Sequence, residues 1–189
     1  GMQDILPKDY EIWGEVTTKF VRIVEDAGFR RISTPILEST ELFTRAVGEQ
    51  TEVVSKEMYT FDDRSGNSLT LKPESTAGVV RAFIENGMAS LPKPVKVYYV
   101  EPHFRYERPQ AGRYRQHHQL GLEIFGDDSV TSDAHAILAG SRLLKNLGIE
   151  HKVMLNSLGS KADRANFIEV LVKYFEKHRR SEEHTSELQ

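Results

Sequence analysis

The 189-residue chain contains no cysteine. It therefore has no disulfides, no thiolate nucleophile and no cysteine-based zinc site. That absence fits a reducing compartment, and the cytoplasm is the expected location. No apolar run approaches the roughly 20 residues that a membrane-spanning helix needs, and the first residues show no signal-peptide pattern. An excess of positive charge is missing too. The formal net charge is −3, so no global field draws in nucleic acid and any contact with RNA must be local. Neither GxGxxG nor GxxxxGK[ST] occurs, and with them go the usual glycine-rich phosphate loops. What remains is 39% hydrophobic and 28% charged residues, the balance of a globular domain with a real core.

Both ends read as cut. Position 1 is Gly, not Met, and Ser181 to Gln189 has no periodicity and one aliphatic residue. That tail is set aside as non-native, with the look of translated adapter read-through, or as an ordinary disordered terminus. The expected domain is therefore 1–180, with 181–189 as the tail.

Periodicity predicts a helix over Asp9–Ala27, with Trp13, Val16, Phe20, Ile23, Val24 and Ala27 on one stripe. Pro7 precedes it and Gly28 follows it. "FRRIST" predicts a strand halted at Pro35, and Ser39–Phe43 a short helix. "KEMYTFDD" and "SLTLKPE" predict a hairpin across "DRSGN", with Leu69 and Leu71 on one face and Thr70, Lys72 and Glu74 on the other. A helix capped by Ser75 or Thr76 should run to Gly87. Val95–Val100, His103–Glu107 and Gln116–Phe125 predict three strands. Thr131–Leu147 predicts a helix capped by Thr131 or Ser132 and stopped by Gly148. "KVMLNS" predicts a strand, and Lys161–Lys177 a last helix with Ala165, Ile168, Leu171, Val172 and Phe175 in a stripe. Runs of adjacent strands among helices give an α+β class with an antiparallel or mixed sheet, not a Rossmann alternation.

"FRYERPQAGRYRQHHQLGLEIFG", Phe104 to Gly126, carries the chemistry. Its first dozen residues hold four arginines. Side chains alternate along a strand. His103, Arg105 and Glu107 therefore share one face, and so do His117, Gln119, Gly121 and Glu123. His118, Leu120, Leu122 and Ile124 take the opposite, apolar side. The polar face could simply meet water, as antiparallel sheets often do. Three features point instead to recognition. Its groups are planar. Gly121 leaves room for a ligand or another backbone. The loop "RPQAGRYR" adds guanidinium forks that match phosphate oxygens. Glu74 is either a solvated carboxylate or, with Thr76, a receptor for a substrate ammonium. His103, His118, His135 and His151 show no metal-ligand spacing and read as structural or surface residues.

These residues resemble motif 2 of the class II aminoacyl-tRNA synthetases, and in particular the histidyl-tRNA synthetase family. "GMQDILP" resembles that family's opening. "GFRRISTPILESTELFTRAVGE" resembles its motif 1 region, with Pro35 at the motif's proline. "KEMYTFDDRSGNSLTLKPESTAGVVRA" resembles its amino-acid-binding segment, and "LNSLGS" a later landmark. The likeness runs from Gly1 to about Arg180.

The resemblance implies a class II-like antiparallel sheet flanked by helices, and a homodimer through the region around Pro35. It implies that L-histidine and ATP with Mg²⁺ form histidyl-adenylate, and that the histidyl group then passes to tRNA(His). It places Glu74, Ser75, Thr76 and Gln119 at the substrate's α-amino end and Glu123 at its imidazole. Arg105 would meet the carboxylate and the ATP α-phosphate. Glu107 would lie near adenine and Arg113 at the outer phosphates. His117 stands where the family usually has a Phe stacked on adenine, and Ser75 where it often has Gly. Motif 3, the histidine-specific segments and the anticodon-binding domain would lie beyond Arg180. The chain would then hold about the first half of a catalytic domain and have little or no activity alone. Three other readings remain. One is the histidine-binding regulatory subunit of ATP phosphoribosyltransferase, disfavoured because Arg105, Glu107 and Arg113 are all present. Another is a synthetase for proline or threonine, disfavoured by Glu123. The last is an inert folded piece.

Overall fold

The structure, a computed structural model, describes residues 1–47, 57–108, 110–156 and 159–178. The expected tail at 181–189 and the first residue of the predicted "KEMYTFDD" strand lie outside them. Contacts divide the chain into two compact units, Gly1–His151 and Lys152–Gln189.

In the first unit, helix α1 (Pro7–Asp26) begins on a proline, whose missing N–H is no loss in the first turn. It ends where the Gly28 N–H donates to the Glu25 carbonyl and the Phe29 N–H to that of Val24. Gly28 has φ +86°, so this is a Schellman stop, and Phe29 and Val24 make its apolar contact inside the core. Strands β1 (Arg30–Arg31) and β2 (Leu37–Ser39) and helix α2 (Thr40–Val47) follow. The predicted hairpin forms as β3 (Tyr59–Asp62) and β4 (Ser68–Leu71). Its loop closes on the Asp63 carboxylate, which accepts the Ser65 and Asn67 N–H groups at 2.7 and 2.9 Å. Helix α3 (Thr76–Glu85), strands β5 (Val95–Phe104) and β6 (Gln116–Phe125) and helix α4 (Val130–Asn146) complete the unit.

Among the described residues two three-stranded sheets result, β1–β5–β6 and β2–β4–β3. β1 runs parallel to β5, and every other pairing is antiparallel. The two strands expected at Val95–Val100 and His103–Glu107 are one. β5 pairs with β6 without a break from Val95–Phe125 to Phe104–Gln116. Pro102 does not interrupt it, and the reason is directional. The Phe104 N–H leaves the ladder to reach the Lys72 carbonyl at 3.0 Å. Period two puts the Pro102 nitrogen on that same side, away from β6, while β1 pairs no further than Tyr98. No ladder bond is lost.

The sheet's two faces bury different residues. Tyr98, Val100, Leu120, Leu122 and Ile124 pack with Phe20 and Val24 of α1 and Ala139 and Leu143 of α4. Val95, Val97, Tyr99 and Phe125 pack with Val79 and Phe83 of α3. Stacked Phe83 and Phe125 rings, 4.2 Å apart, close the second cluster.

Two local expectations are corrected. Neither Ser75 nor Thr76 caps α3. The Glu74 carboxylate does, accepting the Thr76 and Ala77 N–H groups at 2.6 and 2.9 Å. α4 starts at Val130, earlier than Thr131 or Ser132 would place it. Ser132 instead donates its hydroxyl to Asp127, 2.6 Å away. The polar face of β4 is the buried one: Thr70 is 0% and Lys72 2% exposed. Threonine-to-threonine bonds from Thr70 to Thr40 and Thr60, at 2.9 and 3.0 Å, make that burial tolerable.

In the second unit, Lys152–Asn156 forms no strand, against expectation, because it finds no pairing partner among the described residues. Helix α5 (Lys161–His178) forms as predicted. Ser160 and Asp163 exchange side-chain-to-backbone bonds at 2.7 and 3.1 Å, a capping box. Its apolar stripe stays exposed, Ile168 and Phe175 included.

Candidate active site

The register of β5 and β6 decides which side chains share a face. Tyr99 stands opposite Gly121, Glu101 opposite Gln119, and His103 opposite His117. The polar face read from the sequence is therefore present on β6, and β5 answers it with Val97, Tyr99, Glu101 and His103.

At one end of this face lies a carboxylate pair. Glu123 accepts a hydrogen bond from the Thr76 hydroxyl at 2.8 Å and is also hydrogen-bonded to the Tyr99 phenol. Burial raises the Glu123 pKa, and the charge of nearby Glu74 adds to the rise. Burial pushes the Tyr99 phenol up to about 12, with Glu123 also raising it, so Tyr99 stays a neutral donor. Two carboxylates with two hydroxyls between them form a site that gains from a cationic or N–H-rich ligand.

Gly121 does leave room, but the occupant is internal. A Cβ there would lie 2.1 Å from Cζ of Tyr99. The glycine lets the Tyr99 ring lie across β6 and reach Glu123.

The loop carrying Glu74 is fixed to the strand that leads to Arg105. The Arg105 Nε donates to the Pro73 carbonyl at 2.9 Å. Pairing persists one step past β5, with the Arg105 N–H on the Arg115 carbonyl at 2.8 Å. Beyond it the chain turns through Gln110–Arg113. Only Gly112 has positive φ there, +75°, the requirement of a type II turn. Arg113 Nε and Glu107 Oε2 pair at 2.9 Å. The Arg115 guanidinium sits over the Tyr106 ring, 4.0 Å from its centre. Gln119 lies on the face with Glu123 and is exposed. The half-buried His117 ring lies 5.7 Å from that of His103. Burial lowers its pKa, with the Arg105 charge beside it acting in the same direction.

Ser75 departs from its expected place. Its side chain is 1% exposed. Its hydroxyl reaches Glu101 Oε2 at 3.3 Å and His103 Nε2 at 2.6 Å, so it is engaged inside the protein and not toward a substrate. The assignment followed the wording of the segment, and wording does not show that the hydroxyl points inward.

Sequence reasoning passed over the network that Ser75 joins. Glu101, 5% exposed, faces Lys72 in a buried ion pair. Lys72 Nζ also donates to the Thr34 carbonyl at 3.2 Å and the Thr34 hydroxyl at 3.4 Å. Glu101 further accepts from the Ser33 hydroxyl and from the Thr34 N–H, the latter at 3.1 Å. Burial alone would raise the Glu101 pKa; bonds from Lys72 and Ser33 outweigh it and hold the pKa below its ordinary value. The Ser75 hydroxyl is thus paired with both Glu101 and His103 Nε2, and the buried His103 Nδ1 has no partner among the described residues. The available signal was one of parity: Glu101 shares its strand face with His103.

A pH dependence follows. Burial, then the Lys72 charge, lowers the His103 pKa from 6.5 to about 4. Between those values the unfolded chain binds a proton that the folded chain refuses, so this contribution is complete above pH 6.5 and is lost as the pH falls toward about 4. His117 and His118 shift in the same direction. Urea midpoints are expected to fall across this window, and a His103→Met variant to show a shallower fall; equal slopes would contradict the assignment.

The α+β arrangement of small antiparallel sheets and helices matches solved class II aminoacyl-tRNA synthetase structures. Residues 1–176 match the histidyl-tRNA synthetase family model, and the chain belongs to that family. It is 48% identical over 179 residues to the histidine–tRNA ligase of Dehalococcoides mccartyi strain BAV1, covering 94% of this chain and 43% of that protein. The apo histidyl-tRNA synthetase of S. aureus superposes with a TM-score of 0.73 at 37% identity, covering 95% of this chain and 42% of that one. An ATP phosphoribosyltransferase regulatory subunit/histidyl-tRNA synthetase from Bacillus halodurans C has a TM-score of 0.68 at 25% identity, over 80% of this chain and 38% of that one. The chain thus spans less than half the length of these relatives. Among the described residues no helix is long and apolar enough to cross a membrane.

Proposed function

We propose that this chain carries the histidine- and ATP-recognising part of a histidine–tRNA ligase. The observation that carries the reading is the half-buried Glu123 tied to Thr76 and Tyr99, with Glu74 beside it. Glu123 takes an N–H of the histidine imidazole. Glu74, Thr76 and Gln119 take the α-ammonium. Arg105, held by Pro73, binds the carboxylate and the α-phosphate. A carboxylate oxygen attacks the α-phosphorus, the bond to the bridging oxygen breaks, and pyrophosphate leaves. The enzyme's part is alignment and charge stabilisation, not a covalent intermediate.

Arg113 is 63% exposed, and its pairing with Glu107 can open so that the guanidinium meets the outer phosphates. Glu107 and His117 lie toward the adenine, the His117 ring stacking in place of a larger one. Among the described residues no three His, Asp or Glu side chains gather as metal ligands. Magnesium enters with the nucleotide, held by phosphate oxygens and water. The histidyl group passes to tRNA(His) in the whole ligase. The domain of 1–180 and the cytoplasmic location belong to this reading, as does a homodimer through exposed Pro35, Ile36 and Leu37.

Calorimetry of this chain with histidine and then ATP tests it. Both ligands are expected to bind, with little or no histidine-dependent pyrophosphate exchange. Binding of neither ligand overturns the reading. Histidine binding without ATP binding favours the regulatory paralogue, which the Bacillus halodurans likeness brings into view. Light scattering checks the dimer.

A further inference from the structure

The Lys72–Glu101 pair touches no proposed substrate position, yet it sits where the two halves of the site meet. We infer that this buried pair is a positioning device: it fixes the Glu74–Thr76 segment relative to Arg105. The inference rests on the reading of that pocket as a histidine and ATP site.

Four ties join residues 72–75 to residues 101–105. The Phe104 N–H donates to the Lys72 carbonyl at 3.0 Å. Arg105 Nε donates to the Pro73 carbonyl at 2.9 Å. The Lys72 ammonium meets Glu101. The Ser75 hydroxyl meets Glu101 and His103 at 3.3 and 2.6 Å. Glu74 lies between the residues so tied, and its own carboxylate is held by the first N–H groups of α3. Its position relative to Arg105 is thus set from both flanks.

The chemistry suits that task. A buried ion pair contributes little net stability compared with apolar residues of the same volume. It does impose direction, because each donor must meet one lone pair. Here Lys72 Nζ spends its three protons on Glu101 and on the carbonyl and hydroxyl of Thr34. Glu101 receives donors from Ser33, Thr34, Lys72 and Ser75. With every Lys72 proton placed and Glu101 held by four donors, the pair allows one arrangement of the three segments that it joins. Apolar side chains would fill the space and let the loop slide.

The test separates holding the fold from holding the site. The variant pairs Lys72→Met with Glu101→Leu, and Glu101→Gln serves as a milder second variant. If the pair only stabilises the fold, the double variant regains both thermal midpoint and histidine affinity. Positioning predicts a thermal midpoint near that of the unsubstituted chain, with histidine affinity by calorimetry lower by on the order of tenfold. It also predicts amide exchange at Thr76, Ala77 and Phe104 faster by about tenfold, with Val24 of α1 and Leu143 of α4 unchanged. Should the double variant fail to fold, Glu101→Gln carries the same two readouts. Lys72→Arg, which keeps the charge facing Glu101, is expected to retain both.

Unchanged affinity together with unchanged exchange in the tested variant overturns the inference. If the unsubstituted chain binds no histidine, the functional reading fails and the exchange measurement alone decides the positioning role.

Discussion

A Glu123→Ala variant is expected to lose histidine affinity by about 10- to 150-fold, the equivalent of the roughly 1.5–3 kcal/mol carried by a hydrogen bond to a charged group. The effect is large because the carboxylate is already oriented. Thr76 holds one oxygen at 2.8 Å, and the Tyr99 phenol adds a second bond. A ligand N–H therefore meets an acceptor that needs no further ordering. Removing it also leaves the Tyr99 and Thr76 hydroxyls without their acceptor. Glu123→Gln keeps an acceptor oxygen and should lose less. Calorimetry reads both variants, and an alanine variant that binds histidine as the unsubstituted chain does would remove Glu123 from the site.

The second large effect concerns Gly121. A Gly121→Ala variant is expected to lose about 1–3 kcal/mol of unfolding free energy. The new methyl would lie within 2.1–2.4 Å of Cζ, Cε2 and Oη of Tyr99. That ring is 2% exposed and packed among Val79, Val95 and Val97, so it has little space in which to withdraw. Any relief turns the phenol away from Glu123, and histidine affinity should fall with stability. Urea unfolding measures the first effect. In a Tyr99→Ala background the same glycine substitution should be close to neutral; equal losses in both backgrounds would show that the ring is not what the glycine serves.

The two variants mark how far the strand pattern could be read. Alternation along Gln116–Phe125 assigned His117, Gln119, Gly121 and Glu123 to one face, and the register with β5 bears that out. Glycine in the middle of that face signalled a close approach. Its identity needed the partner strand, because only the pairing puts Tyr99 opposite Gly121. The two strands expected between Val95 and Glu107 merged for a similar reason. Proline is a break signal in a one-dimensional pattern, and the direction of its missing N–H is a property of the sheet.

Polarity alone does not locate this core. Lys72 and Thr70 share the polar face of β4, and they are among the most buried side chains. Composition cannot show that Glu101, Thr34 and Thr60 converge on them from distant positions in the chain. The hydroxyl of Ser75 turned toward this network for the same reason.

By itself the sequence determined what depends on neighbours along the chain. That covers the periodicity that made α1, α3, α4 and α5, the glycine stops, the Asp63–Asn67 hairpin loop, and the motif wording that led to the synthetase family. The tertiary structure alone decided which distant groups satisfy one another: Lys72 with Glu101, Tyr99 across Gly121, Glu74 as the cap of α3. Backbone geometry repeats over a few residues and leaves a local trace, whereas burying a charge or a ring requires a partner whose position is set only when the strands pair.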